Sequence, residues 1–308
     1  MKGEISPGRE RKSITLLDNI VFSSIAGEDG TNRELHMSLM LQHGNVESRL
    51  ANGLNPQKAE NEEKKPAILM IPGGGYRGSD KNLMVPEMVF LAEAGYVVAS
   101  MFYRGSGEAV FPAQIIDVKT AIRFLRANAK DYGIDPEKIG AMGRSAGGHL
   151  AALAGMNEDK YVTAEWADYS SDVQAVCDWF GPVDVPYCLD KEAETIRNRS
   201  GYRWQKLEDT HPGAFMGGDV STMKERAVLA SPPYLINDKV APMLIMHGEI
   251  DRHVPAMISE NFYNRLVEAG FGDQTDYYLV KNGDHGSDDF FQPETKQIVL
   301  DFFDKYLK

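Results

Sequence analysis

Residues 138–155 read KIGAMGRSAGGHLAALAG, and the fold turns on them. KIGAMG (138–143) is a short apolar run of strand length, and the Ala- and Leu-rich segment after it suits the start of a helix. Gly143, Arg144, Ser145, Ala146 and Gly147 form a G-x-S-x-G pattern between the two. A sharp strand-to-helix turn needs small neighbours, because a Cβ at position 143 or 147 would crowd the serine. Ser145 is therefore the candidate nucleophile. An ordinary βα turn with Ser145 as a helix N-cap is the plain alternative.

The same rhythm of buried strand and helix continues on both sides. Residues 67–71 (AILMI), 96–103, 173–180, 242–248 and 275–282 read as strands, most of them apolar without alternation, as in a parallel sheet covered on both faces. Helical segments fall at 82–94, 112–131, 256–269 and 291–307. In the second of these, Ile115, Ile116, Val118, Ile122 and Leu125 recur at helical spacing behind Pro112. Two opening strands, 14–25 and 33–43, precede a polar stretch at 44–66 that reads as a solvated loop. The stretch 182–232 breaks the rhythm with five prolines and many charges, and reads as a small lid inserted over the sheet. Alternating strands and helices specify an α/β fold with a mostly parallel central sheet and helices on both faces. The whole chain, 1–308, is expected to form one such domain.

In open α/β sheets ligands bind beyond the carboxyl ends of the strands. A serine hydroxyl needs a base, and the base needs an orienting carboxylate. GDHG (283–286) follows the last strand and offers His285 between two glycines; GEIDRHVP (248–255) follows the preceding strand and offers Asp251. Glu249 and Asp184 compete with Asp251 for the carboxylate role. Among the other histidines, His247 reads as buried structure, His149 as a packing residue bonded locally, and His253 as too early in the chain for the base. His36, His43 and His211 carry no signal. Gly73, Gly74 and Gly75 follow strand 67–71 at the same edge. The N–H groups of Gly74, Gly75 and Ala146 are expected to stabilise a developing oxyanion. No G-K-[ST] follows the triple glycine, which argues against a phosphate loop.

Composition narrows the partners. The 308 residues carry a net charge of −12, with Lys and Arg scattered, which excludes nucleic acid and favours neutral ligands unless a local patch reverses the field. Cys177 and Cys188 suggest no disulfide framework. The first residues lack an apolar signal core and no run of 18 apolar residues occurs, so a cytoplasmic chain with no membrane partner is expected.

The motifs PGGGY, FPAQIIDVKTAIRFLRANAKDYGIDPEKIGAMGRSAGGHLAALAG, ASPPYLI, HGEIDRHVP and GDHG together resemble the short-chain carboxylesterases and acetylesterases of the α/β-hydrolase superfamily, notably the feruloyl-esterase-like and acetylxylan-esterase-like group. The resemblance covers residues 66–308. It implies the α/β-hydrolase fold, hydrolysis of a small-molecule or oligosaccharide ester, the triad Ser145–Asp251–His285, an oxyanion loop at 73–75, and no metal or organic cofactor. Pro72 stands where hormone-sensitive-lipase relatives carry histidine before the glycines. Arg144 precedes the nucleophile; a cation there could favour an anionic acyl or alcohol group or simply face a carboxylate, and the expectation is that it faces a carboxylate. Tyr187, Tyr202, Trp204 and Phe215 are the candidate aromatic lining of the substrate pocket. An arylformamidase-like amidohydrolase on the same triad and a non-catalytic carbohydrate-binding protein are the other readings.

Overall fold

Uninterrupted apolar strands must be covered on both faces, and the computed structural model shows how. It describes residues 4–5, 13–26, 31–43, 64–78, 80–218 and 220–308, so most of the expected polar loop (44–63) lies outside the described residues. Among the described residues eight strands form one sheet: β1 (Ser13–Ala26), β2 (Asn32–His43), β3 (Lys65–Ile71), β4 (Val97–Met101), β5 (Ile134–Arg144), β6 (Ala175–Trp179), β7 (Met243–Gly248) and β8 (Thr275–Val280). Their spatial order is β1-β2-β4-β3-β5-β6-β7-β8. β1 pairs antiparallel with β2, β2 antiparallel with β4, and all later pairings are parallel.

Alternate residues of each strand enter opposite cores. Leu69 and Ile71 of β3 join Ala99, Ile139, Ala141 and Val176 on one face. Ile68 and Met70 join Val98, Met142, Ala175 and Cys177 on the other. The first face is covered by α2 (Ala113–Ala127), α4 (Ala146–Ala154) and α8 (Met257–Glu268), through Ile115, Val118, Ile122, Leu150, Phe262 and Leu266. The second is covered by α1 (Val85–Glu93) and α9 (Pro293–Leu307), through Met88, Leu91, Val299, Phe302 and Phe303. Fully burying each such side chain is worth about 1.5–3 kcal/mol.

The expected helix 112–131 ends at Asn128, whose side-chain amide donates to the Phe124 carbonyl; the short α3 (Ala129–Tyr132) follows. β5 starts earlier than the apolar pattern indicates, because Ile134 already pairs with Lys65. The segment between β6 and β7 holds three helices, α5 (Val185–Asn198), α6 (His211–Met216) and α7 (Val220–Leu229). Two of its prolines start helices rather than breaking them: Pro186 and Pro212 sit in the first turns of α5 and α6, where a missing N–H costs nothing, while Pro232 and Pro233 form a 3-10 turn after α7. Cys177 and Cys188 are free thiols.

The β5–α4 turn packs closely against itself and against β3. A Cβ at Gly143 would overlap the Gly147 carbonyl, and a Cβ at Gly147 would overlap the Ile71 carbonyl of β3. Ser145 takes φ 54° and ψ −126°, a conformation that costs an L-residue about 1–3 kcal/mol. Its N–H donates to the Trp179 carbonyl at 2.8 Å, and its carbonyl accepts from His149 N–H at 3.0 Å. Replacing Gly147 with alanine should therefore destabilise the fold by at least about 1–3 kcal/mol. An unchanged thermal midpoint, measured by calorimetry, would contradict this packing.

Candidate active site

Strand ends β5, β7 and β8 bring Ser145, Asp251 and His285 together. His285 Nδ1 lies 2.7 Å from Asp251 Oδ2, and His285 Nε2 lies 2.9 Å from Ser145 Oγ. Because a carboxylate only accepts, Nδ1 carries the proton and Nε2 is left to accept from the serine hydroxyl. The Phe180 ring packs edge-on against the imidazole, with centroids 4.7 Å apart.

The Asp251 carboxylate is fully buried and receives four donors. Oδ1 accepts from the N–H groups of His253 and Val254, both at 2.8 Å. Oδ2 accepts from His285 and also lies 3.2 Å from His247 Nε2. Burial alone would push the carboxyl pKa up. The hydrogen bonds from His247, His285 and Val254 and the charge interaction with His285 outweigh it and hold Asp251 well below the usual carboxylate range.

The competitors are occupied elsewhere. Glu249 pairs with Lys281 at 2.6 Å, and Asp184 caps α5 by accepting from Tyr187 N–H while its other oxygen accepts from Tyr234. His253 lines the cavity above Ser145, its ring 5.2 Å from that of His285.

His247 does more than fill the core. Its Nε2 contacts the Val254 carbonyl at 2.9 Å, so this nitrogen is a donor and shares its proton with Asp251; Nδ1 meets the Ser259 hydroxyl at 2.7 Å. The signal in the sequence is a histidine ending an apolar strand four residues before the acid. His149 likewise bonds far along the chain rather than locally. Its Nδ1 pairs with the Tyr76 hydroxyl at 2.9 Å and its Nε2 donates to the Ala230 carbonyl at 2.5 Å. Burial pushes its pKa down to about 4, so it stays neutral and ties the glycine loop to the end of the β6–β7 segment.

Gly73, Gly74, Gly75 and Ala146 line the same cavity as Ser145, a space of about 660 Å³. Tyr187, Tyr202 and Trp204 line it as expected. Phe215 does not: it is buried, stacked on Tyr76 at 3.9 Å and edge-on to Phe111. His211, which carried no signal, packs over Gly75 and lines the cavity. Burial and the neighbouring Arg203 and Arg77 push its pKa down to about 4. Arg144 also departs from expectation, since no carboxylate faces it among the described residues; burial alone lowers its pKa.

An α/β sheet with a nucleophilic turn and an ordered Ser-His-Asp relay defines an α/β-hydrolase. By its match to the family model over residues 55–266, the chain belongs to the BD-FAE family. It is 29% identical over 227 residues to Esterase LipQ of Mycobacterium tuberculosis, covering 73% of this chain and 51% of that protein. The chain spans about half the length of the curated relatives it matches. Among solved structures, a truncated carbohydrate esterase from gut microbiota superposes with a TM-score of 0.73 at 29% identity, covering 97% of this chain and 98% of that one. A bifunctional GH43-CE protein from Bacteroides eggerthii gives 0.71 at 28% identity, covering 94% of this chain and 35% of that one. No helix among the described residues is long and apolar enough to cross a membrane.

Two predictions follow from the buried polar groups. His247→Leu removes one donor from Asp251 and leaves the Val254 carbonyl without its imidazole partner. It should cost about 1–3 kcal/mol of stability and lower kcat with little change in KM; a kcat equal to wild type would rule out the positioning role. Asp178 lies beneath the turn, its Oδ1 accepting from Gly181 N–H at 2.9 Å and filling the space a side chain at Gly148 would need. Burial pushes its pKa up to about 7, against the opposing influence of His247 and the Gly181 N–H. The native state thus holds a proton that the unfolded state releases above about pH 4, so this group's contribution falls as pH rises toward 7. Asp178→Asn should therefore gain stability over wild type progressively between about pH 4 and about pH 7. A difference that is constant with pH, in urea titrations, would refute it.

Proposed function

We propose that this chain hydrolyses short-acyl carboxylic esters through an acyl-enzyme, with acetylated or feruloylated plant-polysaccharide fragments as the natural substrate class. The observation that carries this reading is the relay from Ser145 Oγ to His285 Nε2 at 2.9 Å and from His285 Nδ1 to Asp251 at 2.7 Å. The carbohydrate assignment draws on the gut carbohydrate esterase to which the chain is similar over nearly its whole length.

In this mechanism Ser145 Oγ attacks the ester carbonyl and its proton passes to His285 Nε2. The resulting imidazolium is held by the ionised Asp251. Negative charge collects on the former carbonyl oxygen. The N–H groups of Gly74, Gly75 and Ala146 receive it: all three belong to residues lining the cavity, and none donates to another group among the described residues. His285 then returns its proton to the departing alcohol. Water attacks the acyl-serine by the same route in reverse, regenerating the hydroxyl. The segment between β6 and β7 acts as a lid within a single α/β-hydrolase domain. It supplies Tyr187, Tyr202 and Trp204 as a surface on which a sugar or aromatic ring can lie.

Ser145→Ala should reduce turnover of p-nitrophenyl acetate by about four to six orders of magnitude and abolish labelling by a fluorophosphonate probe. Near-normal turnover by the variant, or a wild-type chain that neither turns over esters nor is labelled, would overturn the reading. Acetate release from acetylated xylan beside ferulate release from methyl ferulate assigns the acyl group.

A further inference from the structure

The chain has twelve more carboxylates than Lys and Arg side chains, 45 against 33, so an arginine has many acids available to it. Within the cavity the balance is reversed. Arg144, Lys191, Arg199, Arg203 and Arg252 line it, against Glu192 as the one carboxylate among the described lining residues. Lys191 and Arg252 have counter-ions in Glu194 and Asp284. Arg144, Arg199 and Arg203 have none among the described residues. Arg199 and Arg203 rest on aromatic rings instead, at 5.8 Å from Tyr202 and 3.6 Å from Trp204.

Arg144 is the most telling of the three. It is joined directly to Ser145, and it lines the same cavity. Its Cγ passes 3.6 Å from where a Cβ on Gly73 would stand, and its Nη1 reaches within 3.8 Å of the corresponding point at Gly286. It is therefore stretched between the glycine loop and the His285 loop, in the cavity that Ser145 and His285 also line. No hydrogen bond or ion pair to its guanidinium occurs among the described residues, and its head is not sealed from the cavity. A guanidinium that is partly stripped of water and given no counter-ion is costly unless a ligand supplies one. Its planar fork matches a carboxylate in two-point geometry.

We infer that the ester taken by this site carries a carboxylate, and that Arg144 receives it and selects for it. The inference rests on the ester-hydrolase reading and deepens it by naming the substrate class: an anionic ester in which the carboxylate belongs either to the acyl group, as in a dicarboxylic monoester, or to the alcohol, as in an acetylated uronic acid. The cations at Arg199 and Arg203 extend the same field toward the mouth. They draw an anion into a protein whose net charge would otherwise repel it.

The test compares matched ester pairs on the intact chain. On the acyl side, p-nitrophenyl hemiglutarate is set against p-nitrophenyl valerate. On the alcohol side, acetylated methyl glucuronide is set against acetylated methyl glucoside. Wild type should favour the carboxylate-bearing member of one pair by about tenfold or more in kcat/KM. Which pair responds identifies the source of the carboxylate. Arg144→Met should bring that ratio close to unity, and Arg144→Lys should retain part of it. For wild type alone, the KM of the favoured anionic ester should rise between about 0.05 and about 0.5 M NaCl while that of its neutral partner stays level. This measurement decides the matter even if the variants fold poorly. Equal kcat/KM within both pairs, a ratio that survives in a folded Arg144→Met, or a salt-insensitive KM would overturn the carboxylate assignment while neutral ester turnover leaves the hydrolase reading standing. Absence of turnover on every ester together with absence of fluorophosphonate labelling would instead remove the hydrolase reading itself.

Discussion

The contact between the Gly147 backbone and the Ile71 carbonyl governs the rest of the active edge. It fixes how closely α4 approaches β3, and that approach forces Ser145 into its positive-φ conformation. The surrounding structure over-determines this strain: Trp179 receives the serine N–H, His149 N–H closes the first helical turn, and Asp178 fills the space beneath. Once the turn is set, the ends of β3, β7 and β8 need only deliver their loops to the same edge, and a parallel sheet does so without further specification.

The second requirement is that the base keep one tautomer. Four donors hold the Asp251 carboxylate from two sides, with its own loop supplying the N–H groups of His253 and Val254 and the β7 terminus supplying His247. The Arg252–Asp284 pair also joins the acid loop to the base loop, but a solvated ion pair is screened by water and salt and contributes little. The backbone bonds from Glu249 and Ile250 to the Val280 and Gly283 carbonyls hold those loops more firmly.

Much of this was legible in the amino-acid order. Strands such as 67–71 and 242–248 are short, apolar and unalternating, the pattern of a doubly covered sheet, and Ser145 and Asp251 each follow such a strand, while His285 follows the half-exposed edge strand β8. The β6–β7 segment was less so: its helices α6 and α7 are short, so their periodicity is weak, and prolines that start helices look the same in a sequence as prolines that end them. Phe215 illustrates the same difficulty. An aromatic residue in an inserted segment can face a ligand or the body of the protein, and only its stacking on Tyr76 decides it. His211 was hidden because Gly75 and Arg77, against which it packs, lie on another loop, whereas His247 was read as plain core although Asp251, Val254 and Ser259 follow it closely in the chain. Arg144 was misjudged because a surface arginine ordinarily finds an acid, and at this position none is within reach among the described residues.

The His149 bridge has a consequence for how such a protein can change over time. The β6–β7 segment joins the sheet at only two points in the chain, which would make it freely exchangeable for another of different shape. Yet the Ala230 carbonyl, just past α7, is held by the same imidazole that holds Tyr76 beside the glycine loop. Any replacement must return a carbonyl to that ring, or the imidazole that holds Tyr76 beside the glycine loop is left without its acceptor. Divergence of substrate range is thereby channelled into residues between about 185 and 216, upstream of the anchored end, where side chains reach the cavity.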